Sequence, residues 1–465
     1  MAWLVRASGG KIRLAGVPHR VLKQGLFTWH RFPAQDTHPL PPSFIKMQSE
    51  SNRSWPRGFW NLMFTQFQGA FSDNALRWLV IFPVLASVTL SEADKQGFAS
   101  QASLLFALPF LIFSSIGGWM ADRFSKRSVM IGVKLAEIAI MLFAAFALAW
   151  EKQAMQLAAI CLMGVHSTFF APAKYGVMPE VLPASKLSSG NGILEMLTFV
   201  GVILGTFAGG WLAEGLAHRE GWSGLLLATL AVFGLVASLG IARVPAADPG
   251  KKLNFNLIGE IWCNLRSMKA DRDLWRANWG HTAFYFVATL VQINLALFAQ
   301  KVFHLKPTEQ AWLQASLSLG IGVGSILAGK LSRDRIEYGL IAPGAALMAV
   351  AGIWLGWPAM SLSGFTAGLF FLGLGGGLFI VPLVSVLQHR PSAQMKGAVQ
   401  GAASWLSWVG IAVAAVTQTL LSGPAQLSYG QVFWVCGAVA GLAGFFVTWS
   451  RPKAVPEMLA RWRNR

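Results

Sequence analysis

The stretch "GGWMADRFSKR" runs from Gly117 to Arg127 and lies between two apolar runs. It holds two glycines, an acid, and three cations within eleven residues. Gly118 permits two helices to approach closely. Asp122 is suited to cap the positive N-terminal end of a neighbouring helix. Arg123, Lys126 and Arg127 mark a short basic link between apolar segments. The reading of this stretch therefore depends on whether the segments beside it cross a membrane.

The composition says that they do. The chain has 465 residues, 54% hydrophobic and 12% charged, whereas a soluble domain carries about 25% charged residues. Its 48 Gly and 20 Trp suit close helix packing and interfacial anchoring. A span needs about 20 apolar residues. Twelve such stretches are readable, at roughly 59–88, 98–120, 128–149, 154–173, 190–214, 222–243, 277–300, 309–329, 338–357, 362–388, 397–421 and 429–449. The predicted fold class is an all-α integral membrane protein with two six-helix halves.

The net charge is +18, and its distribution follows topology. Even-numbered links carry sixteen Lys and Arg, from Arg123 to Lys396, with Lys174 counted among them. Odd-numbered links carry five: Lys95, Lys152, Arg219, Lys301 and Lys306. Basic links face the cytoplasm, so both termini are expected there, as an even span count also requires. Basic loops of this kind argue against a nucleic-acid partner.

The halves are expected at 56–243 and 277–450, with a basic cytoplasmic tail at 451–465. The link at 244–276 contains "KKLNFNLIGEIWCNLRSMKADRDLW", with Leu253, Leu257, Ile258, Ile261 and Leu265 at helical spacing. This is either an amphipathic helix at the membrane surface or a packed linker helix. Residues 1–55 read as a basic extension with no core of its own. Residues 1–46 hold seven Lys/Arg against one Asp, which suits an organellar leader or a translation start at Met47.

No chemistry of an enzyme is evident. None of the eight histidines has Asp at the H-x-x-x-x-D spacing of an acyltransferase, and no G-x-x-x-x-G-K-[ST] phosphate loop occurs. Cys161, Cys263 and Cys436 have no metal-ligand spacing. No metal and no cofactor is expected.

The first span is the unusual one. "FQGAFSDNALRWLVIF", Phe67 to Phe82, places Asp73 and Arg77 one helical turn apart, near mid-membrane. Such charges cost roughly 2.5–3.5 kcal/mol each on insertion scales. Either the pair neutralises itself within one helix, with Gln66 and Asn74 adding hydrogen bonds, or the face lines a central cavity. In the second case Asp73 would hold a coupling cation or an amine, and Arg77 a phosphate. Asn191 and Glu195 share a face of span five and are cavity candidates. Lys134 and Glu137 are read as lying near the cytoplasmic end of span three, snorkelling or bound to the loop. His166 and His281 are single histidines in apolar spans, either simply hydrogen-bonded or taking part in proton coupling. Lys174 is read as marking the cytoplasmic end of span four. Arg123 needs an acid, with Glu137 or Glu180 as candidates.

Gly118, Asp122, Arg123, Lys126 and Arg127 resemble the G-x-x-x-D-R-x-G-R-R loop of the major facilitator superfamily, with Ser125 at the second glycine. In that family Asp122 would meet the eleventh span, near Lys396. The stretch "GSILAGKLSRDRIEYGLIAPGA" is similar to a second copy six spans later. A narrower resemblance is to the bacterial lysophospholipid transporters, carried by "FQGAFSDNALRW", "FFAPAKYGVMPEVLP", "NGILEMLTFVGVILGTFAGG", "GSILAGKLS…EYGLIAPGA" and "GLGGGLFIVPLVSVLQHR". It covers the transporter part and no fused acyltransferase.

The resemblance implies alternating access, a role for Asp73 in transport, and lysophospholipid flipping at a bacterial inner membrane. A separate acyltransferase and a monomeric carrier go with it. It also implies an arginine in span seven, but "HTAFYFVATLVQINLALF" offers Gln292 and Asn294 and no cation. That gap is the support for the alternative cargo, a small amphipathic solute or drug coupled to H⁺ or Na⁺.

Overall fold

The computed structural model describes residues 55–463 apart from 57, 217, 218, 306, 334, 359 and 450. The readings for residues 1–54, including the start at Met47, lie outside the described residues. Among the described residues the chain forms fourteen α-helices. They are α1 (Phe59–Ala86), α2 (Glu92–Arg123), α3 (Lys126–Ala149), α4 (Gln153–Val181), α5 (Ala184–Gly215), α6 (Glu220–Leu239), α7 (Leu257–Met268), α8 (Arg272–Lys301), α9 (Pro307–Ser332), α10 (Ile341–Leu355), α11 (Leu362–His389), α12 (Lys396–Ser422), α13 (Tyr429–Thr448) and α14 (Ala454–Arg463).

Their starts follow from local chemistry. Asp271 accepts from the amides of Asp273 and Leu274 at the head of α8, and Ser428 with Gln431 closes a capping box on α13. Among the described residues, eleven helices are long and apolar enough to cross a membrane. α1 has 28 residues but is diluted by Gln66, Gln68, Asp73, Asn74 and Arg77. These polar groups point inward: Gln66, Gln68 and Asn74 are buried. Apolar side chains such as Leu108, Phe233, Leu319 and Phe445 are exposed instead, the inversion a lipid solvent demands.

The sequence spans match these helices to within two turns, with one exception of consequence. Span four was expected to stop at residue 173, but α4 continues to Val181. Lys174 therefore sits inside a helix and is no end marker.

Buried apolar residues form two clusters, one from Ala75 to Ala231 and one from Ile261 to Met458. α5 lies directly on α1, where a Cβ on Gly201 or Gly209 would stand 2.8 Å from Phe67 O or 2.6 Å from Ala75 O. α2 lies as closely on α12: a Cβ on Gly118 would stand 2.7 Å from Gly397 O. α7 buries Ile261, Leu265 and Met268 and leaves Ile258 and Trp262 exposed, as is Phe255 just before it. It is thus packed on one face and apolar on the other.

Candidate functional site

α1, α2, α4, α5 and α12 enclose a cavity of about 290 Å³, near the lower end of small-molecule pockets (about 300 Å³). Asp73, Asn74 and Arg77 reach it from α1, and His166, Ser167 and Lys174 from α4. Phe106 and Phe110 of α2, Phe170 of α4 and Trp408 of α12 form its apolar side. Trp408 stacks on Phe110 with ring centroids 4.2 Å apart.

The α1 charges do not meet in direct contact. Among the described residues Asp73 and Arg77 form no ion pair within 4.0 Å. Arg77 Nη2 donates to Asn74 Oδ1 at 2.9 Å, and its guanidinium lies 5.6 Å from the Phe106 ring centre. Asn74 Nδ2 in turn donates to Ala70 O. Asp73 Oδ2 accepts from Ser167 Oγ at 2.7 Å, while its Oδ1 is buried with no hydrogen-bond partner. Lys174 Nζ stands 4.4 Å from the Tyr175 ring centre and, like Arg77, has no carboxylate within 4.0 Å among the described residues.

Behind Asp73 lies a buried polar network. Lys134 Nζ donates to Glu137 Oε2 and to Gln68 Oε1, both at 2.6 Å. Gln68 Nε2 donates to Glu137 Oε1 at 2.7 Å. His166 Nε2 stands 3.1 Å from Glu137 Oε2. His166 Nδ1 faces Ser167 Oγ at 3.4 Å. Lys134 and Glu137 have no exposed surface, so the expectation of snorkelling is corrected: their polar groups are satisfied inside α1 and α3.

Several sequence candidates lie elsewhere. Glu195 is beside the cavity and accepts from Tyr175 OH at 3.1 Å. Asn191 crosses to α11, donating to Ser385 Oγ and Gln388 Oε1 at 3.0 and 2.9 Å. Asn294 ties α8 to Tyr429 O at 2.8 Å. Gln292 is exposed on α8. His281 Nδ1 meets Ser407 Oγ at 2.9 Å. Ending span four at residue 173 kept Lys174 out of the cavity candidates, although it lies eight residues from His166 on α4 and lines the same cavity. Trp408 is one of many aromatics and has no distinguishing pattern.

At the loop, Asp122 accepts from the amides of Gly397 and Ala398 at 2.6 and 2.9 Å, at the head of α12. It also pairs with Lys251 at 2.8 Å. Arg123 differs from expectation. It donates to Lys251 O at 2.8 Å and meets neither acid, because Glu180 is taken by Lys126 at 2.6 Å and Glu137 by Lys134. Arg127 donates to Leu239 O at 2.6 Å. The stretch before the second loop also joins the halves, with Ser189 Oγ donating to Gly329 O at 2.9 Å.

Comparison with known proteins agrees with this architecture. The family model described as Major Facilitator Superfamily matches residues 62–415. The chain is 31% identical to Lysophospholipid transporter LplT of Klebsiella pneumoniae (strain 342), over 72% of this chain and 81% of that protein. It is 28% identical to the protein of the same name from Cronobacter sakazakii, over 74% and 83%. Among solved structures, the human organic anion transporter MFSD10 superposes with TM-score 0.69 at 17% identity, over 84% of this chain and 99% of that one. The transporter FucP in its outward conformation does so with TM-score 0.67 at 12% identity, over 84% and 98%. The chain is a multi-pass membrane transporter that belongs to the major facilitator superfamily and, within it, to the family of the lysophospholipid transporters.

Proposed function

We propose that this protein flips lysophospholipid, of the lysophosphatidylethanolamine kind, across a bacterial inner membrane by alternating access. Both termini and the 117–127 loop face the cytoplasm in this reading, and the halves 56–243 and 277–450 rock about the cavity. The observation that carries it is the pair Arg77 and Lys174. Two cations with no carboxylate within 4.0 Å among the described residues share one cavity with an apolar side of Phe106, Phe110, Phe170 and Trp408. A phosphate fits the cations, and an amine fits the open Oδ1 of Asp73. The glycerol and the root of an acyl chain fit the aromatics.

The alternative cargo, a small amphipathic solute, drew its support from the lack of a cation in span seven. α1 and α4 supply cations instead, which removes that support. The contacts of Asp122 and Asn191 close the loop side, so the cavity belongs to a state that opens away from the loop. The carrier works as a monomer. A separate acyltransferase would draw lysolipid inward by consuming it, since a carrier alone only equilibrates its cargo.

The test is flipping of headgroup-labelled lysophosphatidylethanolamine in proteoliposomes. Movement faster than in protein-free vesicles, and lost in Arg77→Gln/Lys174→Gln, is expected. A well-folded protein that moves a drug-like solute but no lysolipid would restore the alternative.

A further inference from the structure

We infer that the groove between the C-terminal end of α3 and the N-terminal end of α6 holds one resident phospholipid with a zwitterionic, primary-ammonium headgroup, of the phosphatidylethanolamine class. Only the leaflet, the outer one, rests on the orientation proposed above.

The groove has a volume of about 550 Å³, against about 290 Å³ for the central cavity. Its lining comes from α3, α6 and the turns beside them, and no residue is shared with the central cavity. A molecule held here is not at the transport site. The occupant is therefore a lipid of the bilayer itself and not cargo in transit.

The floor of the groove is made of small residues. A Cβ on Gly221 would stand 2.9 Å from Ala149 Cβ, and one on Gly224 would collide with Ala145. The walls are Leu142, Phe146, Trp222 and Leu225, all exposed, as suits acyl chains. Trp150 and Trp222 are exposed at the same end of the helix pair, and Trp gathers at headgroup level.

At that level the groove carries one acid and one cation, Glu151 and Arg219, both exposed. Neither forms an ion pair within 4.0 Å among the described residues. A zwitterionic headgroup answers both: the guanidinium donates to the phosphate, and the ammonium donates to the carboxylate. An anionic headgroup would meet Arg219 but be repelled by Glu151. A quaternary ammonium has no N–H to donate.

Glu151 also sits where a side chain is unfavourable. Its φ is 53°, the left-handed region that favours glycine. Its amide donates to Leu148 O and that of Lys152 to Ala147 O, so α3 ends in the paired-bond turn whose left-handed position is usually glycine. Strain of this kind gathers at ligand sites, and here it holds a carboxylate over the groove.

The full-length protein is purified from bilayers of phosphatidylethanolamine and phosphatidylglycerol, and retained lipid is counted by native mass spectrometry. One phosphatidylethanolamine should survive delipidation, and phosphatidylglycerol should not. Glu151→Gln or Arg219→Gln should weaken its retention about tenfold. Lys301→Gln, which alters an exposed cation of the other half, should keep it. Glu151→Gly separates ligand binding from a structural role: in lipid-free detergent it should melt higher than wild type, yet lose the lipid. On unaltered protein, phosphatidylethanolamine with a photoreactive headgroup should concentrate its adducts on residues 142–151 and 219–225. Adducts spread evenly over the lipid-facing helices, or equal retention of the two phospholipids, overturn the proposal. Preferred retention of lysophosphatidylethanolamine also overturns it and makes the groove a capture site for cargo. Retained phosphatidylethanolamine in a protein that flips no lysolipid supports this site and refutes the transport reading.

Discussion

Asp122 of α2 caps a helix nine spans away: its carboxylate receives the amides of Gly397 and Ala398 at 2.6 and 2.9 Å. Helix N-termini leave four amides unsatisfied, and here two of them are served across the seam between the halves. The cap therefore exists only while α2 and α12 are together. Lys251 of the linker joins the same carboxylate, so three parts of the chain meet at one side chain.

Asp122→Asn should loosen that seam. It removes the charge that favours the helix end, worth about 0.3–1 kcal/mol and up to about 2 when buried, along with the pair to Lys251. A shift of one to two kcal/mol changes a two-state ratio roughly 5- to 30-fold. Spin labels at Phe124 and Ser392 should report a larger share of separated conformers. An unchanged distance distribution would remove Asp122 from conformational control.

Glu137→Gln should unfold the protein at a much lower temperature. Lys134 and Glu137 are both fully buried, and breaking a buried pair by removing one partner costs about 3–5 kcal/mol. Adding Lys134→Met to Glu137→Gln removes the orphaned charge and should recover much of the lost stability. Thermal melts of the single and double variants in detergent decide it. Equal melting of both would show that Lys134 finds another partner.

Arg77→Gln and Lys174→Gln should each raise the lysolipid KM, and the pair should abolish flipping. A hydrogen bond to a charged group contributes about 1.5–3 kcal/mol, roughly a ten- to hundredfold weakening for each cation lost. Arg77→Lys should be an incomplete rescue, because an ammonium cannot reproduce the planar fork. Concentration series of flipping rates give the answer. A full effect from one substitution with none from the other would assign the phosphate to a single cation.

The helices were legible because hydropathy and link charge are written along the chain, and lipid leaves little freedom to violate either. Asp122 was legible because its motif has fixed spacing. Asp73 and Arg77 stood out by cost alone, but their partners did not, since which neighbour a side chain turns to is decided by helices far apart in sequence. Arg77 turning to Asn74, Glu137 choosing Lys134 over Arg123, and Asn294 holding Tyr429 O all depend on such packing. Lys174 was misplaced for a local reason: the span was ended before this cation, yet α4 runs on through Pro172 and Pro179 to Val181.

The glycines at 201, 205 and 209 repeat every four residues and so form one stripe on α5. They let α1, with its charged pair, lie against α5: a Cβ on Gly205 would collide with Phe71 O, and one on Gly209 would stand 2.6 Å from Ala75 O. Backbone atoms cannot yield as a flexible side chain can, and overpacking costs about 1–3 kcal/mol or more. Gly205→Leu should therefore displace α1, lower the yield of folded protein, and separate Asp73 from Ser167. Gly132→Leu is the matched control, because nothing lies within 4 Å of its Cβ direction. Size-exclusion profiles and melting curves should show a loss for Gly205→Leu and wild-type behaviour for Gly132→Leu. Equal stability of the two would mean that α1 is free to move, and the cavity could not then be fixed by the α1–α5 contact.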